Sequence, residues 1–321
     1  MSADSSISIP VVKVARKKNR GEIGAGLAHV RRKPPAQLVR DLDLTEDDSS
    51  TACLACNQSF FVDSFLASQL SYQGGDLASG AALQLIFWGP EWTDPKTDPS
   101  AGAVTAAVQT LVNSAYFYPL KQYGVNPGPL GQHFIVTSPA PGSSVSDGDI
   151  TGLLWDLIGD QFPEPDEPGG NNIYVVLLPP GTGLPDPTVE SSHGATWHIV
   201  VPKFHWAWYA WIACTGGLDA TMTNLSHEVV EAYTDPHPDS GWVVNGGADP
   251  AMSEIADLCE EYSGSVNGVQ VKAYYSRFNN ACIVPCALSV RMLLNVKGID
   301  PTNGIRSQLP PGACLREFLM S

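Results

Sequence analysis

Charge is scarce in this sequence. Only 16 % of its 321 residues are Asp, Glu, Lys or Arg, against roughly 25 % in an average soluble domain. No apolar run approaches the roughly 18 residues needed to span a bilayer as a helix. Trp206 to Cys214 is among the longest and stops well short, so no transmembrane segment is expected. Behind the N-terminal cations there is no apolar stretch of roughly 7–15 residues, and a standard secretory signal is therefore not visible. Gly-x-Ser-x-Gly, P-loop and Gly-x-Gly-x-x-Gly motifs are missing in any usable context, which removes the sequence grounds for a serine-hydrolase elbow or a nucleotide-binding loop. Seven cysteines are an odd number and too few for a disulfide scaffold of this length. They leave the compartment open.

Apolar residues make up 43 % of the chain, enough for a sizeable core and too many for a wholly disordered protein. Thirty Gly and 26 Pro imply many turns and few long helices. The length fits one large domain with extensions, or two domains. Residues 1–40 carry a net +7, the remainder −22, for a total of −15. An acidic body is a poor surface for nucleic acid, because phosphate contacts need clustered Lys and Arg. The basic leader is the segment suited to touching an anionic surface.

Residues 1–60 read as a basic, largely disordered leader, 61–285 as one folded domain and 286–321 as a C-terminal extension. Leu83–Trp88 reads as a strand stopped by Gly89-Pro90. Val104–Val112 has helical spacing, His133–Val136 reads as a short strand, and Ile150–Ile158 reads as a helix capped by Asp149. Ile173–Leu178 is a continuous apolar run suited to a strand buried on both faces. Trp197–Val201 and Trp206–Cys214 are further strands. Alternating helices and strands predict an α/β sheet.

Chemistry concentrates in the stretch from Gly216 to Pro236. A helix capped by Asp219 and stopped at Asp235-Pro236 would place Met222, Leu225, Val229 and Tyr233 on one face, with Asn224, His227, Glu228 and Glu231 opposite. His227 and Glu231 are one turn apart and can reach a common point. A ligand pair at this spacing around a glutamate follows the logic of the zincin helix, with Glu231 in place of the second histidine. Glu228 would then take a proton from metal-bound water. For a third ligand, His237 stands at the metzincin distance, although Thr234 occupies the glycine position of that pattern. Glu254 and Asp257 are the preferred candidates. His193, His198 and His205 cluster between two strands; each suits a hydrogen-bonded structural role, and His198 is the one singled out as a possible transition-state stabiliser. Cys53-x-x-Cys56 lacks a matching second pair for a zinc knuckle.

Ser226-His-Glu-Val-Val-Glu-Ala-Tyr-Thr-Asp-Pro, Ser240-Gly-Trp, Glu254-Ile-Ala-Asp-Leu-Cys259 and Ser276 to Cys282 together resemble the EXORDIUM/phosphate-induced protein family and its bacterial relatives. Leu85-Ile-Phe-Trp-Gly-Pro-Glu-Trp-Thr, Asn113-Ser-Ala-Tyr-Phe and Ile173-Tyr-Val-Val-Leu agree in order, so the likeness spans about 80–285. It implies a zincin-like single α/β domain with a mixed sheet and an active-site helix. The matched positions are His227, Glu228, Glu231, Glu254, Asp257 and Cys259. The family's Cys-Gly-aromatic-His segment aligns with Ala195-Thr196-Trp197-His198, where only the last two features survive. The family pattern also implies a Cys259–Cys282 disulfide, with two buried free thiols as the alternative, and an extracellular setting, with the cytoplasm left open.

The expectation is thus a metal-dependent hydrolase, a zinc peptidase acting on a peptide or amide. His227 and Glu231 with Glu254 or Asp257 (alternatively His237) would hold Zn2+, with Glu228 as base and His198 as stabiliser. Its rival is a non-catalytic extracellular-type binding or signalling protein with a structural ion site on the same fold.

Overall fold

The computed structural model describes residues 8–16, 23–32, 58–165, 171–200, 203–245 and 253–285. Its main element is a seven-stranded mixed sheet. In chain order the strands are β1 (Val11–Lys13), β2 (Ile23–Arg32), β5 (Ala82–Trp88), β6 (Leu130–Ser138), β7 (Asn172–Leu178), β8 (Val189–Val200) and β9 (Lys203–Ala213). Their spatial order is β1-β6-β5-β7-β9-β8-β2. The first five are parallel, while β8 runs antiparallel to β9, and β2 antiparallel to β8. Helix α2 (Ala101–Val112) connects β5 to β6, and α3 (Asp147–Leu157) connects β6 to β7. Helix α4 (Gly217–Thr234) follows β9.

Strand alternation splits the core into two layers. Leu83, Leu85, Phe87, Val175, Leu177, Trp208 and Ile212 pack with α2 and α4 on one face. Ile86, Trp88, Tyr174, Val176, Tyr209 and Trp211 pack with α3 on the other. The β7 segment is buried on both faces, as its unbroken apolar run requires. The alternation also divides the aromatic stripe between the layers, Trp208 on one side and Tyr209 and Trp211 on the other.

Of the smaller elements, β12 (Val269–Lys272) packs most closely against α4. Strand β4 (Leu70–Tyr72), reached through β3 (Gln58–Phe60) and α1 (Ser64–Gln69), pairs with β10 (Trp242–Val244). A tight hairpin joins β11 (Ser263–Val266) to β12 (Val269–Lys272). Asn267 and Gly268 both sit at positive φ in its turn (51° and 84°), the requirement of the two-residue turn that matches strand twist. Strands β13 (Tyr274–Ser276), β14 (Ala281–Val284) and β3 form a third small sheet. Cys259 and Cys282 are disulfide-bonded across this region, with Cα atoms 5.5 Å apart.

Three expectations need correction. The leader is not without order: β1, β2 and β3 lie within residues 1–60 and join the sheets. Their order comes from pairing with distant strands, which weak local periodicity does not reveal. Helix α3 is capped by Ser146, and Asp149 sits three residues on, returning a bond to the Ser146 N–H in a reciprocal capping box. Helix α4 starts after Gly216, with Gly217 at φ +74°, and Asp219 lies in its first turn instead of at the cap. Among the described residues no helix is long and apolar enough to cross a membrane. Cys53, Cys56, Cys286, Cys314 and the 286–321 extension lie outside them.

Candidate metal centre

Helix α4 is held from both sides. Met222, Leu225, Val229 and Tyr233 are fully buried in the core. The Tyr233 hydroxyl donates to Ala81 O at 2.9 Å and accepts from Gly128 N at 3.1 Å. Ser226 accepts the Lys272 N–H at 2.9 Å, fixing the helix to β12. Asp235, just past the helix, accepts the N–H groups of Asp239, Ser240 and Gly241 and turns the chain back. The side expected to be polar is buried as well: His227, Glu228 and Glu231 are 0 % exposed. Three ionisable groups inside a protein need partners, since an unpaired buried charge is costly.

The partners come from β8 and from the turn at 253–260. Ser191 and His193 are two apart on β8 and face α4, the same side as their cross-strand neighbours Ile212 and Ala210. Ser191 Oγ donates to Glu228 Oε1 at 2.6 Å, and His193 Nδ1 is 3.1 Å from Glu228 Oε2. His193 Nε2 stands 3.4 Å from Glu254 Oε1. His227 Nε2 lies 2.9 Å from Glu231 Oε2 and 3.4 Å from Asp257 Oδ1, while its Nδ1 is 3.6 Å from Glu260 Oε2. Lys272 Nζ is 3.1 Å from that same Glu260 oxygen. The turn is braced internally. Asp257 Oδ2 accepts the N–H groups of Ser253 and Glu254, and the Asp257 N–H donates to Glu231 Oε1 at 3.2 Å.

Two ligand sets result. His193, Glu231 and Glu254 form one, His227, Asp257 and Glu260 the other, each with donor atoms within 4.8 Å of one another. Either set could hold a metal ion. Two ligands about 2.1 Å from a tetrahedral ion stand about 3.4 Å apart, the separation found for His193–Glu254 and His227–Asp257. Glu231 Oε2 is fully buried and makes no hydrogen bond of acceptable geometry, as expected of an oxygen aimed at a cation.

The electrostatics fit the same picture. Burial pushes the Glu231 carboxyl well above the usual range, and the charges of Asp257, Glu254, Glu228 and Glu260 push it further. Burial opposes the protonation of His193, yet Glu254 and Glu228 outweigh it and hold that imidazole well above its ordinary value. Burial also works against charge on Glu228, but its bond to His193, the nearby His227 and Ser191 bring it below the usual range. A cation would replace the protons that these groups otherwise keep.

The structure therefore gathers His227, Glu228, Glu231, Glu254 and Asp257, with Glu254 and Asp257 both present, one in each set. It places His237 elsewhere: its ring packs edge-on against Trp206, centroids 5.6 Å apart, outside both sets. His198 faces the opposite side of the sheet, against Trp155 at 5.1 Å. It is five residues from His193, and an odd separation on a regular strand reverses the face. Both oxygens of Glu228 are engaged, one by Ser191 and one by His193. Sequence reasoning missed His193, Ser191, Glu260 and Lys272. The usable signal for two of them was Ser191 and His193 two apart, a spacing that puts both on one face of a strand. Two surface clefts among the described residues, one lined by Trp92 and Ile135 and the other by Trp88 and Asp149, do not border the centre. No protein-family model, curated protein or solved structure matches the chain, and the EXORDIUM and zincin likenesses rest on the motif residues alone.

Proposed function

We propose that this protein binds a divalent cation, Zn2+ by its donor set, in a closed centre that ties α4 to β8 and the 253–260 turn. Imidazole nitrogens with carboxylate oxygens suit zinc. The reading is carried by one observation: both imidazoles stand 3.4 Å from a carboxylate inside a region where His193, His227, Glu231 and Glu254 are at most 1 % exposed. Structural zinc sites are closed in this way, whereas catalytic ones keep a position open to water. On this reading the ion is structural, which favours a non-catalytic, extracellular-type binding or signalling protein, and the Cys259–Cys282 bond supports that setting. The test is metal analysis of protein purified without added metal, followed by a peptide-library cleavage screen. Bound zinc without cleavage supports the reading. Failure to take up zinc, even when it is supplied, overturns it.

The hydrolase reading has one specific support. Glu260 is 16 % exposed and brings the second ligand set toward the surface. For catalysis on a peptide or amide, Glu228 would have to leave Ser191 and His193 to serve as base. Metal-dependent cleavage in the same screen would favour this second reading.

A further inference from the structure

We propose that the centre is dinuclear. A second divalent cation sits at His227 and Asp257, and the Glu231 carboxylate bridges it to the first, at His193 and Glu254. The inference rests on the cation reading above and adds a second ion to it.

The two halves repeat one arrangement. Each histidine directs Nδ1 toward a glutamate, His193 to Glu228 at 3.1 Å and His227 to Glu260 at 3.6 Å. Each directs Nε2 toward a different carboxylate, Glu254 and Asp257, at 3.4 Å in both cases. The Glu228 carboxylate on His193 Nδ1 favours the tautomer that leaves Nε2 as the ligand atom, while Glu260, 3.6 Å from His227 Nδ1, belongs to the donor set of the second half. Because the imidazole is rigid and the two Nε2 atoms address different carboxylates, one ion uses one half and leaves the other without a cation. Between them stands Glu231. Its Oε2 is 2.9 Å from His227 Nε2 and 3.7 Å from the nearer nitrogen of His193, Nδ1, and it shares a group of donor atoms within 4.8 Å of one another with His193 and Glu254. Paired ions in such centres lie about 3.5–4 Å apart, a distance that one carboxylate spans.

Charge points the same way. Glu228, Glu231, Glu254, Asp257 and Glu260 bring five carboxylates to the cluster, and Lys272 brings one ammonium. With both imidazoles neutral, as ligation requires, four negative charges remain in a buried volume. A single divalent ion cancels half of them, and two cancel all. Lys272, itself buried, pairs with the Glu260 carboxylate and donates to its carbonyl, so it offsets one of the five negative charges.

The experiment is equilibrium dialysis of the full chain against Zn2+, with Mn2+ and electron paramagnetic resonance as a second readout. Two ions per chain and a spin-coupled Mn2+ spectrum are expected. Glu254→Gln and Asp257→Asn should each bind one ion and give the six-line spectrum of isolated Mn2+. One ion per wild-type chain overturns the second position and leaves the first standing. None overturns the cation reading itself. Because Asp257 also accepts two backbone N–H groups, its variant could lose the fold, which circular dichroism would reveal. Glu260→Gln, at the protein's edge, then carries the test. It should keep both ions but weaken one by about 10-fold or more. Two ions held as tightly as in the wild type would overturn the assignment.

Discussion

Replacing Glu228 by Gln separates an orienting residue from a base. Both carboxylate oxygens are occupied in a fully buried place, one by the Ser191 hydroxyl at 2.6 Å and one by His193 Nδ1 at 3.1 Å. Glutamine has the same shape and keeps one acceptor. With its carbonyl toward His193 the N–H bond survives, and Ser191 can rotate its hydroxyl to accept from the amide. What is lost is the negative charge that raises the basicity of His193. Removing such a carboxylate partner typically costs 10–100-fold in metal affinity, or about 1.4–2.7 kcal/mol. The assay is a zinc titration in competition with a chromophoric chelator, run on variant and wild type with matched circular dichroism. An unchanged zinc affinity would refute the orienting role. The hydrolase reading expects just that, full metal binding with turnover abolished.

Two further perturbations follow from the same geometry. Chelation should lower the melting temperature: at an ion concentration of about 100 times Kd the ion contributes about 2.7 kcal/mol, or about 5–10 °C for a domain of this size, and zinc should restore it. In the metal-free protein, Glu231 and His193 both have pKa values raised well above their ordinary ones. The folded state holds their protons more tightly than the unfolded chain does. Their stabilisation is complete below the ordinary values and is lost as pH rises through the raised ones. Metal-free protein should therefore melt at lower temperature as pH rises from mildly acid to alkaline. Zinc-loaded protein should show the opposite trend on the acid side, where protons compete for the ligands. A metal-free melting temperature that climbs with pH would contradict the burial of these groups.

How much of this was legible in the sequence depends on the range of each interaction. The apolar runs at Leu83–Trp88 and Ile173–Leu178 became central parallel strands, because continuous hydrophobicity is a local property. The α4 face of Met222, Leu225, Val229 and Tyr233 was equally readable, since helical periodicity is local too. The opposite face was readable in composition but not in environment. Nothing within α4 says that β8 and the 253–260 turn will close over His227, Glu228 and Glu231. His193 is 34 positions from His227 and enters through strand pairing, which no ligand spacing encodes. The choice between His193 and His198 turned on strand parity relative to a helix whose side of the sheet was unknown. β2 takes its place through hydrogen bonds to β8, again a partner that its own residues do not announce.

Cys214 sits at the junction of β9 and α4, fully buried, with its N–H bonded to Leu178 O. Burial pushes its thiol up to about 12, so at neutral pH almost none of it is the reactive thiolate. A soluble alkylating reagent can modify it only when the strand-to-helix junction breathes. That makes this side chain a built-in reporter, and its alkylation, followed site by site in a peptide map with and without zinc, would time how often α4 lifts from the sheet.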